Sequence, residues 1–364
     1  MTRHFILLIS VIVFACSCNQ GEQNVTKEEA AKFAADLEHA ALKRQAGFLT
    51  SAIIFSALSD RMQSQQKKSF NEDIETNLKK SLKKSELEKN IFQVIGKNGI
   101  YEKVKVYEKN GKQHVIFRAF GEGGINYMDM ELTKLDKKVG IADMFSFTSG
   151  ENISTTLADL YKTSAGASEK QDMYIAQRMQ TVQRLIKNQD FEQAKTQYGY
   201  LPADIRNTRI GNVLHLQILM NLKDDKSKAE LENIEAGMAT DPNAQLIMLD
   251  SYISHKDFGK AMNAINQIDS ILNKDSFLDY YRGLISYMSG DKNTAYDYYK
   301  KVTVSNPNFP GAFAELFAMA ILKDEKDDAK KYFSSYKQLR NSDKQLVKQY
   351  EEAYPYLKEV ATTE

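Results

Sequence analysis

Residues 276–309 read SFLDYYRGLISYMSGDKNTAYDYYKKVTVSNPNF, and this stretch decides the fold of the second half of the chain. Gly283 falls in the middle of a first helix, where a side chain would push a neighbouring helix away. Gly290-Asp291 ends that helix with a glycine suited to a left-handed cap and a short turn. Ala295, Tyr299 and Val302 then recur at spacings of four and three, one apolar stripe along a second helix. Asn306-Pro307 closes the unit, since proline resists helix continuation and pushes its predecessor toward extended geometry.

The same pattern extends outward. Ala194, Ala229, Ala261, Ala295 and Ala329 lie 35, 32, 34 and 34 residues apart. A period near 34 predicts stacked helical hairpins. The following unit carries Phe313, Leu316, Ala320, Ala329, Phe333 and Tyr336, and the preceding one Met248, Tyr252, Phe258, Ala261, Ile265 and Ile268. Asp190 to Ala194 with Tyr198 and Leu201 fits as well, whereas the unit around Ala229 is degenerate. This resembles the tetratricopeptide repeat (TPR), with Gly283, Gly290, Ala295, Tyr299, Val302 and Pro307 at the family's positions and the early aromatic displaced to Tyr280 or Tyr281. The resemblance covers residues 173–340, about five hairpins, and implies an all-α superhelix with a concave groove that binds a protein or peptide. It implies that Tyr280, Leu284 and Tyr287 face that groove, joined by Asp250 and Ile253 from the previous unit. Residues 341–364 read as a terminal cap: Ser342 caps a helix from Asp343 to Val360, which Pro355 kinks or shortens.

The amino terminus has a different character. Arg3 and His4 precede an apolar run from Phe5 to Ala15, too short to span a bilayer and suited to a secretory signal. Both cysteines of the chain, Cys16 and Cys18, follow at once, before the polar residues Asn19 to Glu22. Residues 1–18 resemble a bacterial lipoprotein signal, which implies cleavage before Cys16, or alternatively Cys18, and lipidation of that cysteine. The same resemblance implies an exported protein held by its lipid to a membrane, the outer membrane facing the periplasm. No later run of 18 apolar residues supplies a second anchor. With 49 Lys and Arg against 48 Asp and Glu the formal charge is +1, so no electrostatic case exists for a nucleic-acid partner.

Between tether (19–25) and repeats, residues 26–162 read as an α+β domain. Thr26-Lys27-Glu28-Glu29 is a capping box that opens helices over 26–95, with a break at Gly47, a stretch from Phe70 and a restart at Ser85-x-x-Glu88. The period then becomes alternating, and Asn110-Gly111 marks a tight hairpin. Residues 100–148 give a four-stranded antiparallel meander whose helices cover one face, distantly similar to cystatin and NTF2-like rolls. A connecting helix over 152–161 and a linker over 163–172 lead into the repeats.

Chemistry-bearing patterns are sparse. Gly121-Glu122-Gly123-Gly124 lies between two strands and reads as a hairpin loop rather than a phosphate cradle. The five histidines, His4, His39, His114, His215 and His255, have no second His or Cys at metal-ligand spacing. Asp129 and Glu131 alternate beside Tyr127 on one strand face, read as solvent-facing polarity, or as a cavity lining if the sheet curves. The expectation is a non-catalytic scaffold without metal or cofactor. Its rival is a small-ligand-binding or hydrolytic α+β domain that the repeats merely support.

Overall fold

The computed structural model describes residues 21–66, 74–84, 87–121, 123–164 and 169–358. Helix α1 (Lys27–Leu42) starts as its capping box dictates: the Glu29 amide donates to Thr26 Oγ1 at 3.2 Å and the Thr26 amide to Glu29 Oε2 at 2.9 Å. Gly47, at φ +72°, and a 3-10 turn over Thr50–Ala52 lead to α2 (Phe55–Gln66). Helices α3 (Ile74–Lys84) and α4 (Leu87–Ile95) follow. The expected start at Phe70 and the restart residue Ser85 lie outside the described residues.

Strands β1 (Ile100–Lys109), β2 (Lys112–Gly121), β3 (Gly124–Leu135), β4 (Lys138–Ser146) and β5 (Glu151–Asn152) form one antiparallel sheet in sequence order. Two corrections to the expected meander follow. The sheet has five strands rather than four, because a turn after β4 lets Glu151 and Asn152 pair with Ser146 and Phe145. Both of its faces are covered rather than one. Val115, Phe117 and Ala119 of β2, with Met128, Met130 and Leu132 of β3, pack under the amino-terminal helices. Ile116 of β2 and Ile125 and Tyr127 of β3 belong instead to a core shared with the carboxy-terminal helices, with Phe120 packed against it. The near-continuous apolar run Val115-Ile116-Phe117 is what a doubly covered strand requires.

Helix α5 (Ile153–Ser164) runs three residues past its expected end. Its start is fixed by buried Asp143, which accepts from the Ser154 amide at 3.1 Å and from its hydroxyl. The rest of the chain is helical: α6 (Glu169–Lys187), α7 (Phe191–Gly199), the short α8 (Ala203–Arg206), α9 (Arg209–Leu219), α10 (Asp225–Met238), α11 (Gln245–Ser254), α12 (Phe258–Ile271), α13 (Leu278–Met288), α14 (Lys292–Ser305), α15 (Pro310–Leu322), α16 (Lys326–Gln338) and α17 (Lys344–Ala353). The pairs α6/α7, α9/α10, α11/α12, α13/α14 and α15/α16 pack as consecutive hairpins.

Three of these hairpins turn identically. Gln189, Lys256 and Gly290 take left-handed backbones, and Asp190, Asp257 and Asp291 then cap the second helix through their side chains. In a fourth, Asp324 is left-handed and Glu325 holds the cap position without a side-chain bond. Ala194, Ala261, Ala295 and Ala329 sit four residues past each cap and are fully buried. Ala229 does not belong with them: it is exposed on α10, and Ser227 is buried in its place. With Ser227 the small-residue spacing becomes 33, 34, 34 and 34. Gly283 is needed where it stands, since a Cβ there would lie 2.6 Å from the ring of Tyr299.

The carboxy-terminal cap is shorter than expected. Asp343, not Ser342, caps α17 by accepting from the amides of Gln345 (2.8 Å) and Leu346 (3.3 Å). The helix ends at Ala353, and Pro355 starts a 3-10 turn to Lys358 in place of the expected run to Val360.

Candidate functional site

The sheet meets the helical hairpins along their connecting loops. The Phe120 ring touches Phe277, Phe309, Tyr280 and Tyr281 at centroid distances of 5.0, 5.2, 5.8 and 6.3 Å. Beside it, buried Arg118 donates through Nη1 to both oxygens of buried Asp275, at 2.7 Å to Oδ1, in the loop between α12 and α13. Tyr127 Oη donates to Asp275 Oδ2 at 2.7 Å, and the Arg118 guanidinium lies 4.0 Å from the Phe277 ring centroid. Arg209 at the start of α9 donates from Nε to the Ser149 carbonyl at 3.0 Å.

This contact decides which expected groove residues are open. Tyr280 is half-buried and committed to the aromatic cluster, so it is not a free anchor. Leu284 and Tyr287, one and two turns further along α13, are also half-buried. On α11, Asp250 is exposed and Ile253 half-buried against the shared core. Burial of its surroundings nevertheless raises the Asp250 carboxyl.

One residue of this surface escaped the sequence reading. Glu315 on α15 is half-buried, its carboxyl is pushed up by desolvation, and no cation or hydrogen-bond donor among the described residues pairs with it. Asp250 likewise has no partner there. The two carboxylates flank the tyrosines of α13. Asp250 helps to raise the hydroxyl of Tyr281, and Glu315 helps to raise those of Tyr280 and Tyr299, burial being the larger cause in each. Tyr299 is fully buried, and its hydroxyl has no hydrogen-bond partner. The first helices α11, α13 and α15 thus carry acid, tyrosine and acid side by side. Single carboxylates are too common in a chain with 48 of them for Glu315 to stand out before folding.

Among its described residues, the amino-terminal half has no comparable site. Tyr127 is fully buried, and Asp129 accepts from Tyr107 and sits 3.0 Å from His114 Nδ1, so the expected solvent-facing strand is instead covered and paired. Glu131 accepts from Arg61 Nη2 at 2.6 Å. The recess between sheet and helices, lined by Leu49, Ile53, Leu58 and Ile141 among others, holds only about 10 Å³. The Gly121–Gly124 hairpin abuts the carboxy-terminal end of α4, where Gly123 donates to the Val94 carbonyl at 2.9 Å. That end carries the negative pole of the helix and repels phosphate; Glu122 lies outside the described residues.

His39 is exposed on α1, His114 lies on β2, His215 on α9 and His255 at the end of α11. No group of three metal-ligating side chains occurs among the described residues. No described helix is long and apolar enough to cross a membrane. Cys16, Cys18 and His4 lie outside the described residues. No protein-family model, curated protein or solved structure matches the chain.

Proposed function

We propose that this protein is a non-catalytic envelope scaffold, lipid-anchored through Cys16 or Cys18 and built on a TPR-like array. Its first-helix groove holds a basic segment of a protein partner. The observation that carries this reading is the pair of carboxylates without a partner among the described residues, exposed Asp250 and half-buried Glu315, on either side of the α13 tyrosines. Lysine or arginine side chains of a partner would neutralise both, and tyrosine is a common anchor of protein interfaces. The regular caps, the buried alanines and the Gly283–Tyr299 contact support the repeat assignment. The rival small-ligand domain draws no comparable support, because the sheet is packed on both faces.

Crosslinking with mass spectrometry in the native envelope tests the groove. Crosslinks from α11, α13 and α15 to one partner, lost in an Asp250→Asn/Glu315→Gln variant, are expected. Crosslinks that survive this change would sink the groove assignment. Separately, Cys16→Ser/Cys18→Ser should release the protein from membranes, and continued membrane association would refute the anchor.

A further inference from the structure

A cavity of about 280 Å³ opens between α7, α8, α9 and α10, lined by none of the residues assigned to the groove. Its floor is a stack of Tyr198 on His215, with centroids 4.5 Å apart and planes at 19°. Around it stand Arg206, Asn207, Asn212, Asn233 and Ile234, with Glu230 beside His215. The hydrogen-bonding capacity of this ring is largely unspent. Arg206 uses only Nε, which donates to the Leu201 carbonyl at 3.1 Å, and both Nη groups have no partner among the described residues. The side-chain amides of Asn207, Asn212 and Asn233 are also without hydrogen bonds there. Glu230 is already engaged, 3.3 Å from Lys195 Nζ and 3.4 Å from His215 Nε2.

The half-buried Arg206 and Asn212, beside an aromatic floor and rimmed by the exposed Asn207 and Asn233, make a ligand site, and their chemistry names the ligand. A guanidinium with two free Nη groups offers the fork that a planar carboxylate accepts in bidentate fashion. The amides supply donors and acceptors for groups beside it. The one carboxylate present is paired with the Lys195 ammonium, which leaves Arg206 as the uncompensated charge. We propose that this cavity binds a small carboxylate: either a free organic acid or the side chain of an acidic residue, seated on Arg206 with the asparagines around it. The site is separate from the acidic groove, and neither assignment depends on the other.

His215 reports on occupancy. Its imidazole is held below the ordinary histidine range, chiefly by burial, with Lys195 and Arg206 adding to the effect and Glu230 opposing it. Tyr198 is uncharged at neutral pH, its hydroxyl pushed up to about 12 by burial. A carboxylate on Arg206 cancels part of the local positive field and favours the imidazolium. Binding therefore raises the His215 midpoint, and by reciprocity affinity rises as pH falls through that midpoint.

The experiment follows the ring resonance of His215 in the full-length chain, assigned with His215→Gln, across pH with and without N-acetyl-aspartate. A second arm uses the capped peptide Gly-Gly-Asp-Gly-Gly, and the controls are neutral N-acetyl-asparagine amide and inorganic phosphate. The expected result is an upward shift of about half a pH unit or more with a carboxylate probe and none with either control. Arg206→Gln should weaken binding about tenfold or more while Arg206→Lys retains part of it. A shift with the peptide identifies an acidic side chain as ligand, and a shift with N-acetyl-aspartate alone identifies a free acid. No shift with either carboxylate overturns the proposal, as does an equal shift with phosphate or one that survives Arg206→Gln.

Discussion

Arg118 and Asp275 lie 157 positions apart in the chain, yet they form a buried pair with Tyr127 as a third member. Losing Arg118 leaves the buried Asp275 carboxylate without solvent or a cation, so Arg118→Ala should cost about 3–5 kcal/mol in denaturant unfolding. The reciprocal change, Asp275→Ala, should cost less, because Arg118 Nη2 keeps Glu102 Oε2 at 2.8 Å, and the double variant should cost less than the sum. Gly283→Ala places a methyl against Tyr299 and should cost about 1–3 kcal/mol through overpacking. Glu315 behaves oppositely. Its folded-state pKa is raised, so its charge opposes folding above that value and the penalty disappears as pH falls below it. Glu315→Gln should therefore leave thermal stability equal or higher at neutral pH while removing partner binding. A clear drop in melting temperature would show that the carboxylate has a structural partner.

At the scale of elements, the sequence was most legible where backbone geometry demands particular residues. The Thr26–Glu29 capping box, the Asn110-Gly111 turn and the Gly290-Asp291 cap all stand where local chemistry placed them. Ala229 misled because its position fits a 34-residue period only loosely, and no left-handed residue resets the turn before α10. Ser227, accepting from Lys195 Nζ at 2.8 Å, takes the buried place instead. Burial of both sheet faces was written in the apolar run Val115 to Phe117, but the element that covers the second face comes from distant sequence. Glu315 and Asp250 were distinguishable only by the absence of partners, which no spacing reveals. Asp136 and Lys137 both take positive φ in the β3–β4 turn, so Lys137→Gly should raise stability by about 0.5–1 kcal/mol. Asp257→Ala should lower it by about 1 kcal/mol by exposing the amide of Lys260 at the start of α12, read by chemical denaturation.

For the whole molecule, the proposed function has a pH dependence with a fixed sign. A basic partner needs ionised Asp250 and Glu315, and both carboxyls are raised by desolvation. Affinity should therefore fall on acidification, beginning above the range near pH 4 where exposed carboxylates titrate. The Asp250→Asn/Glu315→Gln variant should bind weakly and without that dependence in the same titration. The cavity of α7 to α10 should respond in the reverse direction, which lets one pH series separate the two sites.

The loops joining the hairpins are fastened to the sheet: Phe277 and Phe309 by the Phe120 ring, Asp275 by Arg118, and Arg209 by the Ser149 carbonyl. A stack of hairpins in contact only with one another behaves as a spring, able to wind or open as a load or ligand pulls on it. Here the loops of the helical hairpins are bonded to a stiff plate, so their positions against the sheet are set before any partner arrives.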